Sequence, residues 1–151
     1  MTSSDTDRNL DRSPQESEAS SSRDHVLTAP ILRFELRTEL KGLREQKTYA
    51  QGKPSGKTLV KEPDLRIVLM ALKAGGRMED HRASGPISVQ GIEGRFRLRL
   101  PSGDMELTAG ELVSLEPGIP HEVFAVEDAA FLLTIGRTTY DHVSDQHEPR
   151  P

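Results

Sequence analysis

Residues 95–100, Arg-Phe-Arg-Leu-Arg-Leu, alternate without exception. Phe96, Leu98 and Leu100 share one side of an extended chain, and Arg95, Arg97 and Arg99 share the other. A period of two with one apolar face defines a half-buried strand. The arginines read as its solvated outer face, with an anion site as the competing reading. The surroundings repeat the pattern in short runs. Leu65–Leu72 is apolar, β-branched in its middle, and is followed by Gly75-Gly76. Pro86–Ile92 follows, then the alternating strand, the turn Pro101-Ser-Gly103, and a return strand over 104–107. Leu112–Leu115, His121–Val126 and Ala130–Ile135 complete the series, separated by Gly- and Pro-containing turns. Short strands spaced roughly 8–12 residues apart predict an all-β sandwich or barrel.

Upstream, residues 1–29 contain ten Ser or Thr and nine charged residues, with few large apolar groups. Such a segment buries too little surface to offset its ordering entropy, and it reads as a disordered tail. Ser13-Pro14 within it reads as an ordinary surface dipeptide, with phosphorylation as the alternative. A domain over 30–140 leaves about 110 residues, enough for a small barrel core. Leu36, Leu40 and Leu43 recur at helical spacing, predicting one short helix near 36–46 before the barrel. Gly56-Lys57-Thr58 copies the end of a phosphate-binding loop. However, Gln51 stands where that loop needs glycine, and Thr58-Leu-Val60 reads as a strand rather than a helix start. Residues 141–151, with His142 and His147, read as a flexible C-terminal tail.

The formal net charge of −4 argues against a nucleic-acid partner. The chain has no cysteine, which excludes disulfides, thiolate metal sites and Cys nucleophiles. The N-terminus lacks the apolar stretch of a secretory signal, and no apolar run approaches the roughly 20 residues of a membrane helix. The expectation is a cytoplasmic protein without a membrane partner.

Two histidines, His81 and His121, each stand beside a turn of this all-β region, and their setting resembles the cupin superfamily. The first cupin motif runs glycine, five residues, histidine, one residue, histidine, three or four residues, glutamate, six residues, glycine. Gly75, His81 and Gly94 fall in register, with Ala83 at the second histidine and Ile87 at the glutamate. The second motif runs glycine, five residues, proline, one residue, glycine, two residues, histidine, three residues, asparagine. Gly110, Gly118 and His121 fit it, whereas Glu116 replaces the proline (Pro117 follows) and Ala125 replaces the asparagine. The resemblance covers residues 57–136 and implies a double-stranded β-helix, the cupin jelly-roll barrel, of the small single-domain bacterial, RmlC-like kind.

The resemblance also implies where chemistry would sit. Metal-binding cupins hold a divalent ion with three histidines and a glutamate directed into the barrel. Here two of those four positions, Ala83 and Ile87, have no lone pair to donate. One reading is a metal-free pocket formed by His81, Ala83, Ile87, His121 and Ala125, binding a small molecule without confirmed catalysis. The alternative is a metal-dependent enzyme of dioxygenase or isomerase type, holding iron, manganese, nickel or zinc. On a regular strand Glu79 shares the face of His81 and Ala83, giving a set of His81, His121 and Glu79. A third reading is an interaction protein whose acidic tail reaches a partner. Family resemblance further implies a homodimer, with Phe124 and Phe131 as candidates for its apolar patch.

Overall fold

The structure, a computed structural model, describes residues 29–137. The expected tails, Ser13-Pro14, His142 and His147 lie outside the described residues, apart from Ala29. The chain begins with helices α1 (Leu36–Arg44) and α2 (Lys47–Ala50). Nine strands follow: β1 (Ser55–Lys61), β2 (Leu65–Leu72), β3 (Arg77–His81), β4 (Ile87–Glu93), β5 (Arg95–Leu100), β6 (Gly103–Thr108), β7 (Leu112–Leu115), β8 (His121–Ala125) and β9 (Ala129–Gly136). They form a five-stranded sheet in the order β1-β2-β9-β4-β7 and a four-stranded sheet in the order β3-β8-β5-β6. All recorded pairings are antiparallel. This is the predicted all-β jelly roll.

The alternation in β5 has the expected consequence. Phe96 and Leu98 are fully buried between the sheets, and Phe96 meets Phe131 of β9 with ring centroids 5.0 Å apart. The outward arginines are paired with acids: Arg95 and Arg97 reach Glu106, and Arg99 reaches Asp104. Strand β2 reads as a continuous apolar run because both its faces are covered. Val68, Met70 and Leu72 pack into the core between the sheets. Ile67, Leu69 and Ala71 face a second apolar cluster, formed with Leu40 and Leu43 of α1 and Tyr49 of α2. The helices therefore cover part of the outer face of the five-stranded sheet. Phe131 belongs to the inner core at 1 % exposure, so it is not available to an exposed patch; Phe124, at 38 %, is.

Helix α1 occupies most of the predicted span. Glu35 caps it, accepting hydrogen bonds from the Thr38 backbone N–H at 2.8 Å and hydroxyl at 2.5 Å. These bonds lower the Glu35 pKa, the hydroxyl's being the larger effect. The short α2 and strand β3 were not anticipated as elements. The Gly56-Lys57-Thr58 segment lies inside β1, as the loop-to-strand reading expects, and Lys57 pairs with Glu39 of α1. At the β4–β5 turn, Gly94 has φ +68° and a Cβ there would lie 2.0 Å from the Asp128 carbonyl oxygen. Only glycine suits both conditions. Among the described residues, no helix is long and apolar enough to cross a membrane.

Candidate functional site

His81 ends β3 and His121 begins β8, and the two residues are register partners in the four-stranded sheet. The opposite sheet contributes a row of partners across three strands: Arg66 of β2, Ile135 of β9 and Ile87 of β4. Cross-strand partners project to the same side of a sheet. Ile87 belongs to the inner core and Ile135 packs against it, so this row faces the barrel interior. Between the row and the histidines lies a cavity of about 310 Å³ at the end of the barrel. Its lining comprises His81, Ala83, Ile87 and His121 together with Arg66, Arg82, Ser84, Leu133 and Ile135. Two backbone bonds pin the surrounding loops: Gly118 N–H donates to the Ala83 carbonyl, and Gly136 N–H to the Pro86 carbonyl, both at 2.9 Å.

The histidine pair is fixed from both sides. His81 Nδ1 lies 2.9 Å from its partner, the carbonyl oxygen of Glu79, and His121 Nδ1 lies 2.9 Å from that of Ile119. A carbonyl can only accept, so each Nδ1 carries the hydrogen. Each Nε2 of a neutral ring then presents a lone pair. Yet the two Nε2 atoms approach to 3.1 Å, with ring centroids 4.2 Å apart. Two facing lone pairs repel; a proton or another cation between them turns the contact into a bond. His121 is buried, whereas His81 is exposed at the mouth.

Four of the five pocket residues expected from the sequence thus converge. The fifth, Ala125, does not line the cavity. It is fully buried four residues further along β8, roughly 13 Å away at strand rise, where it pairs with Phe96. Glu79 meets His81 through its backbone carbonyl, not its carboxylate. The β3–β8 register shifts between Met78 and His81, interrupting the regular alternation that would align the Glu79 carboxylate with His81. Among the described residues, no group of three or more His, Cys, Asp or Glu is placed to hold a metal ion. Two convergent imidazoles do not complete the three or more protein ligands that first-row divalent ions usually take. The donors among the described residues therefore do not fit a resident metal of the kind the fold family implies.

Arg66, Arg82, Ser84, Leu133 and Ile135 were missed. For Arg66 a signal existed: it shares parity in β2 with Val68, Met70 and Leu72, so an inward-facing apolar series begins with a charge.

No family model matches the sequence, and neither does any curated protein. Solved structures do match. A conserved protein of unknown function from Streptococcus pyogenes, SPY1581, is 26% identical, with a TM-score of 0.55, covering 58% of this chain and 77% of its own. An RmlC-like cupin from Desulfovibrio desulfuricans is 19% identical, with a TM-score of 0.57, covering 70% of this chain and 97% of its own. A cupin 2 conserved barrel domain protein from Leptotrichia buccalis is 25% identical, with a TM-score of 0.56, covering 65% of this chain and 46% of its own. The two antiparallel sheets and these neighbours define an RmlC-like jelly-roll barrel. In fold the chain is similar to the cupin-superfamily structures among these neighbours.

Proposed function

We propose that this protein binds a small molecule in the cavity at the end of its barrel and does so without a resident metal. The observation that carries the proposal is the convergence of His81, His121 and Ile87 on one cavity of about 310 Å³. A concave site with apolar walls and a few convergent polar groups is the usual form of a small-molecule site. Ala83 contributes a small side chain and Ile87 an apolar wall where metal-binding relatives place ligands, so the altered motif trades coordination for volume and apolar surface.

The competing reading is a metal-dependent enzyme of dioxygenase or isomerase type. The convergent Nε2 atoms favour it; the two missing donors weigh against it. Elemental analysis of protein purified without an affinity tag separates the two. The expected result is no stoichiometric iron, manganese, nickel or zinc. A near-stoichiometric metal that is lost in both His81→Ala and His121→Ala would overturn the metal-free reading. Ligand binding itself is tested by nuclear magnetic resonance of the Ile87, Leu133 and Ile135 methyl groups during a screen of small neutral, cationic and anionic compounds. Saturable shifts at these positions are expected; no shift with any compound would sink the proposal.

A further inference from the structure

We infer that the ligand of this cavity is a small organic acid, with one carboxylate head and an apolar body. This rests on the reading of the cavity as a small-molecule site and adds the ligand's chemical class. The first observation is the charge of the lining. Among the described residues it contains two guanidiniums, Arg66 and Arg82, and two imidazoles, but no carboxylate. The chain as a whole has a formal net charge of −4, so this local excess of positive groups runs against its overall balance.

The second observation is how arginines are treated elsewhere. Arg44 pairs with Glu93 and Arg77 with Glu122, both within 3 Å, while the β5 arginines are supplied by Glu106 and Asp104. Arg66 and Arg82 make no ion pair with any described residue. The acids that satisfy the outer face therefore do not serve the mouth. Arg66 also stands at the inward parity of β2, where Val68, Met70 and Leu72 continue the face into the core. A guanidinium offers a planar fork of donors that matches a carboxylate with two parallel hydrogen bonds.

The third observation limits the rest of the ligand. Ile87, Leu133 and Ile135 form an apolar wall in the same cavity. A second charge placed against that wall would lose its hydration without a partner. One anionic head near the arginines, with a hydrocarbon body against the wall, satisfies both regions. The His81–His121 pair faces Arg66, Ile135 and Ile87 from the opposite sheet, adding polar groups but no negative charge to the cavity.

The test uses the full chain and three acid–amide pairs of graded size: acetate and acetamide, 3-methylbutanoate and its amide, benzoate and benzamide. Inorganic phosphate serves as a head group without a body. Affinities come from calorimetry, and the location from methyl and backbone chemical shifts. At least one of the two larger acids is expected to bind ten or more times more tightly than its amide and than acetate or phosphate, shifting Ile87, Leu133 and Ile135. Arg66→Gln and Arg82→Gln should each weaken that acid about tenfold and leave its amide unchanged. Amides binding as tightly as their acids, or arginine variants binding acids normally, would overturn the acid class while the cavity reading stands. Phosphate binding as tightly as the best acid would overturn the organic body. Cavity signals that move with none of the acids or amides would remove the inference, and the broader compound screen then decides the cavity reading separately.

Discussion

Replacing His121 by alanine probes the histidine pair most directly, because its two members sit in different surroundings. His121 is 4 % exposed, its Nδ1 donates to the Ile119 carbonyl, and its Nε2 faces that of His81. Each hydrogen bond is worth about 1 kcal/mol net. The partly collapsed space left by the imidazole adds about 1 kcal/mol more. His121→Ala should therefore cost about 3 kcal/mol, lowering the melting temperature by on the order of 10 °C. His81 is exposed, and water can replace its bond to the Glu79 carbonyl. Its removal should cost only about 1 kcal/mol, most of it from the shared Nε2 contact. Either substitution removes that contact, so the double variant should cost about 1 kcal/mol less than the sum of the singles. Urea unfolding at neutral pH measures all three, provided the slope with denaturant is unchanged. Equal losses in the two single variants, or strict additivity in the double, would refute the account of a buried anchor coupled to an exposed partner.

Other positions give independent checks. Restoring the missing family donors with Ala83→His and Ile87→Glu should create a site that retains zinc or nickel through dialysis, because both positions line the cavity with His81 and His121. Saturation at about 100 times the dissociation constant should then stabilise that variant by about 2.7 kcal/mol. A folded double variant without metal would count against the assigned register. Gly94→Ala should destabilise by on the order of 3 kcal/mol, since it combines a positive φ with a backbone clash. Gly42→Ala in α1, where a Cβ meets nothing within 4 Å, should instead stabilise by about 0.5–1 kcal/mol; thermal melts that give both substitutions the same sign would reject this contrast. The Glu35 carboxyl is held below its ordinary value, principally by the Thr38 hydroxyl, so its capping contribution is complete above the unfolded value and lost as pH falls through the folded one. Amide protection factors in α1, corrected for the intrinsic pH dependence of exchange, should fall over that acidic range in the wild type, and Glu35→Gln should remove this fall.

Much of the fold was legible because apolar parity and turn residues agree. In β5 every second residue is inward and apolar, and its outward neighbours are all arginine. In β2 the continuous apolar run also reads correctly as a strand, although the reason, a helix packed on its second face, depends on residues 36–50 far from it in sequence. Strand β3 was not legible as an element. Met78 is its one apolar residue among Arg77, Glu79, Asp80 and His81, and it lies on a sheet edge with a shifted register. Its pairing comes from β8 rather than from its own pattern. Phe131 illustrates the converse: aromatic character alone did not distinguish a sheet surface from the inner core, where Phe96 meets it.

The site divides along the same physical line. Parity along a strand says which face a residue occupies, and it correctly groups His121 with Ala125 on the inner side of β8. It does not say how deep each lies. Depth depends on where the strands of the opposite sheet begin and end, and β8 carries its first residue at the mouth and its fifth against Phe96 in the core. The same stagger brings Arg66, near the start of β2, level with Ile135 and Ile87 and opposite the histidines. A charge at an inward position is unfavourable in a closed core but tolerable at a wet mouth, where an anion can offset it. Arg66 is therefore the residue at which the fold's own alternation is broken without an internal partner among the described residues, and the acid–amide comparison asks whether a ligand supplies that partner.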